Sequence, residues 1–334
     1  MFLLRLTNKV SLASKLASGD DVLFGYAGKI LYVNLTMKTV KYRRIPEGWT
    51  KKYLGGNGFC TKILYYELSP DTPALSPGNK LIFMTGPLTG THAPMSSRFQ
   101  VQAKSPLTGI WGQADSGGFW GTEIKRAGID GIVVEGASDR PVYLWVSNGE
   151  VEIRDAGELW GTTTIQAQMV IRHELDKEAR IAVIGPAGEN LVKFAVIAND
   201  GSRTAGRCGL GAVMGSKKLK AIAVRGQKSV DVANEGKLDE LRTEMIEHFK
   251  KSPSFNALRN HGTSFDSLEW ALDTRNLPLK NWIQNDWDPR IAKTIGGIGM
   301  RKVLSVKGGG LLRVLGRLRK KCASDGRTIS HRNA

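Results

Sequence analysis

Leu81–Thr91 reads LIFMTGPLTGT, and Ile181–Asn190 reads IAVIGPAGEN about 100 residues later. Each stretch ends a short apolar run, typical of a buried strand, in Gly-Pro followed closely by another glycine. Each is followed by a glycine-rich stretch that an arginine precedes, Arg98 in the first copy and Arg203 in the second. The repetition indicates either a duplicated half-site for a two-fold ligand or two ordinary strand–turn units in a β-rich domain.

The flanking sequence also has the periods of strands and helices. Residues 28–45, GKILYVNLTMKTVKYRRI, alternate apolar and polar side chains around a turn signal at Asn34–Met37, which predicts a hairpin. Ser116–Ala127 predicts a helix with Asp115 or Ser116 as its N-cap. Leu219–Arg225 predicts a closing strand, and from Leu238 to Leu272 the period becomes helical.

The glycine clusters have the character of an anion-binding cradle. The chain holds 39 glycines, mostly in short clusters between apolar runs. Free backbone N–H groups at the point where a loop enters a helix attract phosphate. Arg98 and Arg203 could add bidentate hydrogen bonds to the phosphate oxygens. The alternative for each arginine is a solvated ion pair on the surface. Neither a dinucleotide fingerprint nor a Walker loop is present, and no histidines or cysteines stand at metal-ligand spacing.

The net charge of +17 is concentrated at the C-terminus, where residues 301–334 carry ten basic residues and one acid. The rest of the chain is mildly basic, which argues against nucleic-acid binding by the body of the protein. Three widely spaced cysteines predict no disulfide framework, so we expect a cytoplasmic protein. No apolar run is long enough for a membrane span, and residues 1–23 are expected to be a disordered extension or a start codon assigned too early.

Several long blocks, in order from about Gly25 to Trp282, resemble the tungsten-containing aldehyde:ferredoxin oxidoreductases. They are YLGGNGF, GPLTGTHAPMSSRFQVQAKSPLTG, DSGGFWGTEIKRAGIDGIVVEG, IGPAGENLVKFAVIANDGSRTAGRCGLGAVMGSKKLKAIAV and LDTRNLPLKNW. The resemblance implies an α+β protein. Its β-rich N-terminal domain has two sheets related by a pseudo-two-fold axis and is followed by the start of an α-helical domain. The expected limits are 24–227 for the pterin-cradling domain, 228–300 for the helical region and 301–334 for a basic tail.

The resemblance also implies a cofactor: tungsten, or molybdenum, held by the dithiolene sulfurs of two pterins that share a bridging magnesium. The family's cofactor-binding positions match Arg98, Ser116, Gly117, Arg203, Ala205 and Gly206. Two positions depart from the family pattern. Asp115 stands where many members have asparagine. An acid there puts a direct phosphate contact in doubt but leaves a contact with magnesium or with a ring nitrogen open. Thr204 stands where the best-known members have alanine.

The family's partners would be a small aldehyde and ferredoxin, with homodimers of the full-length enzyme. Its [4Fe–4S] cluster is held by a C-x2-C-x3-C run and a distant cysteine, and that run is absent here. A one-base frame change near Gly308–Gly310 would convert Leu311, Val314 and Leu318 into such a run, so we expect a frameshifted tail; the genomic bases after Gly310 test this. The alternative is a genuine basic tail that binds nucleic acid or acidic lipid.

The predicted function is therefore that of the N-terminal part of a tungstopterin enzyme that oxidises aldehydes to carboxylic acids. By itself the chain is expected to be inactive and unstable, because surfaces meant for other domains would be exposed. The alternatives are a non-catalytic pterin-binding or scaffold protein and a nucleic-acid binder that uses the basic tail.

Overall fold

The computed structural model describes residues 23–261, 271–303, 306–309 and 319–322. The chain separates into two compact units that divide between Glu235 and Gly236. The predicted N-terminal extension falls almost wholly outside the described residues, and so do the three positions of the hypothetical cysteine run. The proposed domain limits and the frameshift therefore stay predictions.

The first half of the first unit forms a six-stranded sheet in the order β2-β1-β6-β3-β4-β5. Its elements are β1 (Lys29–Asn34), β2 (Thr39–Arg44), α1 (Trp49–Tyr53), α2 (Asn57–Glu67), β3 (Leu81–Thr85), β4 (Phe99–Lys104), β5 (Trp111–Ser116), α3 (Trp120–Arg126) and β6 (Gly131–Glu135). The predicted hairpin is confirmed, because β1 and β2 pair antiparallel around a turn in which Asn34 Oδ1 accepts from the Met37 amide at 2.9 Å.

The second half forms another six-stranded sheet in the order β11-β10-β9-β12-β7-β8. Its elements are β7 (Val142–Ser147), β8 (Glu150–Asp155), a 3₁₀ turn (Gly157–Leu159), α4 (Thr164–Glu174), β9 (Arg180–Val183), α5 (Pro186–Glu189), β10 (Ile197–Asn199), β11 (Arg203–Ala205), α6 (Leu210–Ser216) and β12 (Leu219–Arg225).

The two sheets have the same topology. Each sheet contains a hairpin, β1–β2 in the first and β7–β8 in the second. The inner strand of the hairpin, β1 or β7, pairs in parallel with the last strand of its half of the chain, β6 or β12. That strand pairs antiparallel with the strand that precedes the Gly-Pro turn, β3 or β9. Two further antiparallel strands complete each sheet, β4–β5 and β10–β11. The predicted pair of related sheets is therefore confirmed, and β5 and β11 are equivalent edge strands.

Three apolar layers hold the unit together. The largest lies between the two sheets and includes Trp120 of α3 and Met214 of α6, both fully buried. The outer face of the first sheet packs on α2 through Phe59, and the outer face of the second packs on α4 through Ile171. α4 begins with a capping box in which Thr163 accepts from the Gln166 amide.

A buried lysine joins the two halves. Lys217, which follows α6, donates from Nζ to the backbone carbonyls of Pro77, Asn79 and Gly136, at 3.2, 2.5 and 3.1 Å. All three carbonyls belong to the first half. Burial lowers the pKa of Lys217 to about 7, against a usual value of 10.5.

The predicted helix start at Ser116 is wrong. β5 continues through Ser116, which pairs with Phe99, and α3 begins only at Trp120. Phe119 is the N-cap residue and its side chain makes no cap hydrogen bond. An acceptor from the other half of the fold, Asp200, takes that role, and local sequence cannot show it.

The second unit is helical as predicted, as far as the structure describes it. Its elements, of which α7 begins one residue before the division between the units, are α7 (Glu235–Lys251), α8 (Pro253–His261), α9 (Pro289–Ile295), α10 (Gly297–Val303) and a two-stranded ladder of β13 (Val306–Gly309) and β14 (Arg319–Cys322). Within the described ranges, no helix is both long enough and apolar enough to cross a membrane.

Candidate functional site

The edge strands of the two sheets meet. β5 ends the first sheet, β11 ends the second, and the two strands contact each other. Each is followed by a glycine-containing loop that leads into a helix: residues 117–119 before α3 and residues 206–209 before α6. We call this junction the seam. The duplication thus brings the two predicted ligand-binding segments into one place, although they lie about 90 residues apart in the chain.

Asn199 fastens the first loop to the second half. Ser116 Oγ donates to Asn199 Oδ1 at 2.6 Å, and Asn199 Nδ2 donates to the Gly117 carbonyl at 2.8 Å and to Asp200 Oδ2 at 2.9 Å. Ser116 and Asn199 are both buried. Because a buried hydrogen bond between neutral side chains is short-ranged and directional, these contacts fix the position of the 117–119 loop relative to β10.

Asp200 completes the junction. Its Oδ2 accepts from the amides of Phe119 at 2.7 Å and Trp120 at 3.3 Å, so it satisfies two of the free N–H groups at the start of α3. Gly118 makes this approach feasible. It has a φ of +99°, and a Cβ at this position would collide with Asp200 Oδ2. Glycine is therefore required at 118 for both backbone conformation and space.

The second loop is fastened to the first half in turn. Ser105 Oγ donates to the Cys208 carbonyl at 2.7 Å, and Cys208 Sγ lies 3.5 Å from the Gln113 carbonyl. Gly112 admits this contact, since a Cβ there would lie 2.9 Å from the Cys208 Cβ. The two loops are thus bound reciprocally, each to the sheet of the other half.

Seven of the eight predicted site residues lie on β5, on β11 or on the loops that follow them, and Arg98 lies outside these segments. Arg98 is exposed and directly precedes β4, whose first residue pairs with Ser116. Arg203 is half-buried, begins β11 and pairs with Asn199. The cross-strand neighbours of these two segments, Ser116 and Asn199, are joined by a side-chain hydrogen bond, although the two arginines are not equivalent in the repeat. Thr204 and Gly206 are exposed, whereas Ala205 is buried in the core between the sheets.

The outer face of β4 and β5 is polar beside the seam. Gln100 stands opposite Asp115, and Gln102 stands opposite Gln113. Gln113 Nε2 donates to Asp115 Oδ1 at 3.3 Å. Among the residues that the structure describes, Gln100 Oε1 is one of three side-chain atoms that are buried without a hydrogen-bond partner. The predicted role of Asp115 as a helix cap is thereby excluded, because its side chain lies on a strand face.

The space beside Gly117 is open. A Cβ at Gly117 would meet no atom within 4 Å, in contrast to Gly118 and Gly112. A ligand can therefore approach the backbone of the 117–119 loop closely. Within the described residues, no three His, Cys, Asp or Glu side chains come together as a metal-binding group.

Sequence reasoning missed Asn199, Asp200 and Gln100. The Asn-Asp-Gly run at 199–201 is a turn signal that could have marked the β10–β11 hairpin. Its long-range hydrogen bonds have no signal in a single sequence. Gln100 gives no signal either, because an alternating strand predicts a polar outward residue with no particular partner.

Comparisons with known proteins agree with one another. A family model described as the N-terminal domain of aldehyde ferredoxin oxidoreductase matches residues 30–226. A tungsten-containing aldehyde ferredoxin oxidoreductase of Pyrococcus abyssi is 51% identical over 244 residues, which cover 72% of this chain and 40% of the relative. An aliphatic sulfonate oxidoreductase, WOR-like subunit, of Pyrococcus furiosus is 35% identical over 278 residues, which cover 78% of this chain and 44% of the relative.

A solved structure matches as well. It is the active site complex BamBC of benzoyl coenzyme A reductase in complex with 1,5 dienoyl-CoA. The TM-score is 0.77 and the sequence identity is 30%, and the match covers 91% of this chain and 48% of that chain. This chain therefore spans less than half the length of the relatives it matches.

Proposed function

The chain belongs to the aldehyde ferredoxin oxidoreductase family, and from this premise we propose that its seam cradles a bis-pterin cofactor of tungsten or molybdenum. Both metals take the same dithiolene sulfur ligands, so the protein's task is to hold the organic part of the cofactor. The assignment rests most heavily on one observation: Asn199 accepts from the Ser116 hydroxyl and donates to the Gly117 carbonyl, which joins β5 and its loop to the β10–β11 hairpin that carries Arg203.

The residues present fit such a group. Exposed Arg98 and half-buried Arg203 supply positive charge on either side of the seam for phosphate ends. The open space at Gly117 admits close approach to the backbone of the 117–119 loop, although Asp200 already takes the Phe119 and Trp120 amides that the sequence left free for phosphate. Thr204 and Gly206 are exposed on the corresponding segment of the second half. Asp115 carries a carboxylate that could meet magnesium or ring N–H groups and would repel phosphate.

The reaction proposed for the whole enzyme is the oxidation of a small aldehyde to a carboxylate, in which water supplies the added oxygen atom and two electrons and three protons are released. The bound cofactor would supply the redox chemistry, and the electrons would pass through a [4Fe–4S] cluster to ferredoxin one at a time. This chain's residues bind and orient the cofactor. A cluster needs four thiolate ligands, and this sequence has three cysteines, of which Cys60 is buried.

The substrate is proposed from two tungsten-containing relatives, 51% and 46% identical, which are named for aldehydes. Another relative is named for aliphatic sulfonate, and the solved structure for benzoyl coenzyme A. The seam is therefore better evidence for cofactor binding than for substrate. Because the chain spans about 40% of these relatives, we expect it to bind cofactor components without oxidising aldehyde by itself.

The test is to express the chain in a host supplied with tungstate and to measure bound pterin by fluorescence and bound tungsten by mass spectrometry. We expect Arg98→Gln to lose most of the pterin. Arg140→Gln is the matched control, because Arg140 is exposed in the same unit and its guanidinium forms an ion pair with exposed Asp155, at 3.6 Å. Equal pterin content in both variants, or none in the unaltered chain, would refute the proposal. An assay with aldehyde and viologen separates the catalytic from the non-catalytic alternative.

A further inference from the structure

Three cations from distant parts of the sequence meet on the side of the first sheet that lies away from the seam. Lys29 is the first residue of β1 and stands opposite Arg44, the last residue of β2. Lys29 shares a strand face with Leu31, which belongs to the core between the sheets, so Lys29 and Arg44 lie at the margin of that core. The third cation, Lys228, follows β12. We call these three side chains the cation cluster.

The two lysines of the cluster are held by their surroundings. Lys29 is half-buried, and its Nζ lies 4.8 Å from the centre of the Tyr42 ring. Lys228 lies along the backbone of Gly128, where φ is +82° and a Cβ would come within 2.9 Å of Lys228 Nζ. Burial, and after it the charge of Lys228, lowers the pKa of Lys29, so the two ammonium groups act on each other.

No carboxylate neutralises this pair of lysines within the part of the chain that the structure describes. Asp130 is adjacent, because its amide donates to the Lys29 carbonyl at 2.8 Å, but its carboxylate is already engaged. That carboxylate accepts from the Lys125 ammonium and from the amides of Ala27 and Gly28. Two neighbouring cations without a counter-ion repel each other, so an anion between them would be stabilised by both.

The duplicated backbone does not require cations at this place. The second hairpin has the same register, with Val142 opposite Asp155 where the first has Lys29 opposite Arg44. In each half the pair joins the first residue of the hairpin to its last. Because the second hairpin forms with an apolar residue and an acid, the cations of the first half need an explanation other than the backbone fold.

The cation cluster is separate from the seam. Three strands, β6, β3 and β4, lie between β1 and β5 in the first sheet. Four strand spacings of about 4.8 Å place Lys29 about 19 Å from β5. A phosphate group bound at the seam therefore does not occupy the cluster as well.

We propose that the cation cluster binds a phosphate group with two or more negative charges, free or as an ester, at a second site apart from the seam. The guanidinium of Arg44 offers paired donors to two phosphate oxygens, and the two lysines add compact charges. The cluster shares no residue with the cofactor cradle proposed above, so this inference does not depend on the proposed function.

The test is lysine footprinting of the full chain. An N-hydroxysuccinimide acetate ester acetylates accessible amines, and peptide mapping gives the rate at each lysine with inorganic pyrophosphate or with sodium chloride of equal ionic strength. We expect pyrophosphate to slow acetylation at Lys29 and Lys228. Lys228→Met should raise the pyrophosphate concentration that half-protects Lys29 about tenfold to a hundredfold, the range for a lost hydrogen bond between charged groups.

Glycerol phosphate is the second probe, and it separates the two sources of a phosphate group. Protection by both probes supports a site that accepts phosphate esters, and protection by pyrophosphate alone supports a site for a free polyanion. Thermal unfolding of Lys228→Met shows whether this variant is folded. The footprint of the unaltered chain decides the question even where the variant does not fold.

Lys41 is the internal control, because it is an exposed lysine of the same hairpin and pairs with Tyr32 of the outer face. Absence of protection in the unaltered chain, or equal protection at Lys41, would overturn the inference and leave the lysines with a packing role alone. Loss of the protection in Arg98→Gln would assign the anion to the seam and would overturn the inference too. None of these results bears against cofactor binding at the seam.

Discussion

Replacing Asn199 with leucine should loosen the seam and destabilise the first unit. The side chain is fully buried, and it accepts from Ser116 and donates to the Gly117 carbonyl and to Asp200. Leucine has a similar volume but leaves the Ser116 hydroxyl and the Gly117 carbonyl without their partner. Each such orphan costs about 1–3 kcal/mol, and leucine recovers about 1–2 kcal/mol by burying apolar surface. Two orphaned groups cost about 2–6 kcal/mol together, so we expect a net loss of about 1–4 kcal/mol.

The assay is urea denaturation followed by tryptophan fluorescence, since Trp120 lies in the core beside the affected loop. Asn190→Leu is the control, because Asn190 makes one exposed hydrogen bond to the Pro186 carbonyl and should cost below about 1 kcal/mol. A double-mutant cycle with Ser116→Ala should give a coupling of about 1–2 kcal/mol. Additive effects, or an Asn199→Leu loss no greater than that of the control, would show that Asn199 does not join the two halves.

Three further predictions follow from single contacts. Gly118→Ala should lower the free energy of unfolding in urea by about 2–3 kcal/mol, because residue 118 has a positive φ and a Cβ there collides with Asp200. Gly117→Ala should fold normally yet bind less pterin. Equal losses of stability in the two variants would contradict this. The pKa of Lys217 is about 7 in the folded chain and 10.5 when the lysine is exposed, so the unfolded chain binds more protons between these two pH values. The free energy of unfolding should therefore rise with pH across that window, and Lys217→Met should abolish this rise. An identical slope in the variant would exclude the lysine as its source. Cys60 is buried, and burial raises the pKa of its thiol, whereas Cys208 is half-buried. A maleimide at pH 7.5 should therefore label Cys208 much faster than Cys60, as peptide mapping would show. Comparable labelling rates of the two cysteines in the folded chain would contradict the burial of Cys60.

The sequence supports much of the fold because its signals are local. The 28–45 hairpin follows from alternation and a turn residue, and the repeated Gly-Pro turns mark equivalent strands, β3 and β9. The start of α3 could not be predicted in the same way, because Ser116 pairs with Phe99 and the cap comes from Asp200. Local propensity gave the wrong answer where a tertiary contact supplied the competing hydrogen bond.

The candidate site shows the same division. The glycines and arginines could be singled out by residue type, since few other residues permit close approach or pair with phosphate. Their meeting at one seam depends on strand order in two sheets. That order follows from the duplication, and the duplication was visible only as two short turns. The orphaned oxygen of Gln100 depends on how α2 packs on β4, and no pattern within either segment reports it.

The repeat also shows where its two halves have diverged. If Ser116 and Ala205, the last residues of β5 and β11, are equivalent, the cross-strand pair Gln100–Asp115 corresponds to Ala198–Thr204 in the second half. Ala198 is buried against α4 and offers no acceptor. A ligand with two similar halves would therefore meet unequal surfaces: carboxylate and amide oxygens on one side, a methyl and a hydroxyl group on the other. The duplicated backbone supplies the symmetry of the cradle, and the side chains on its outer faces supply the difference between its halves.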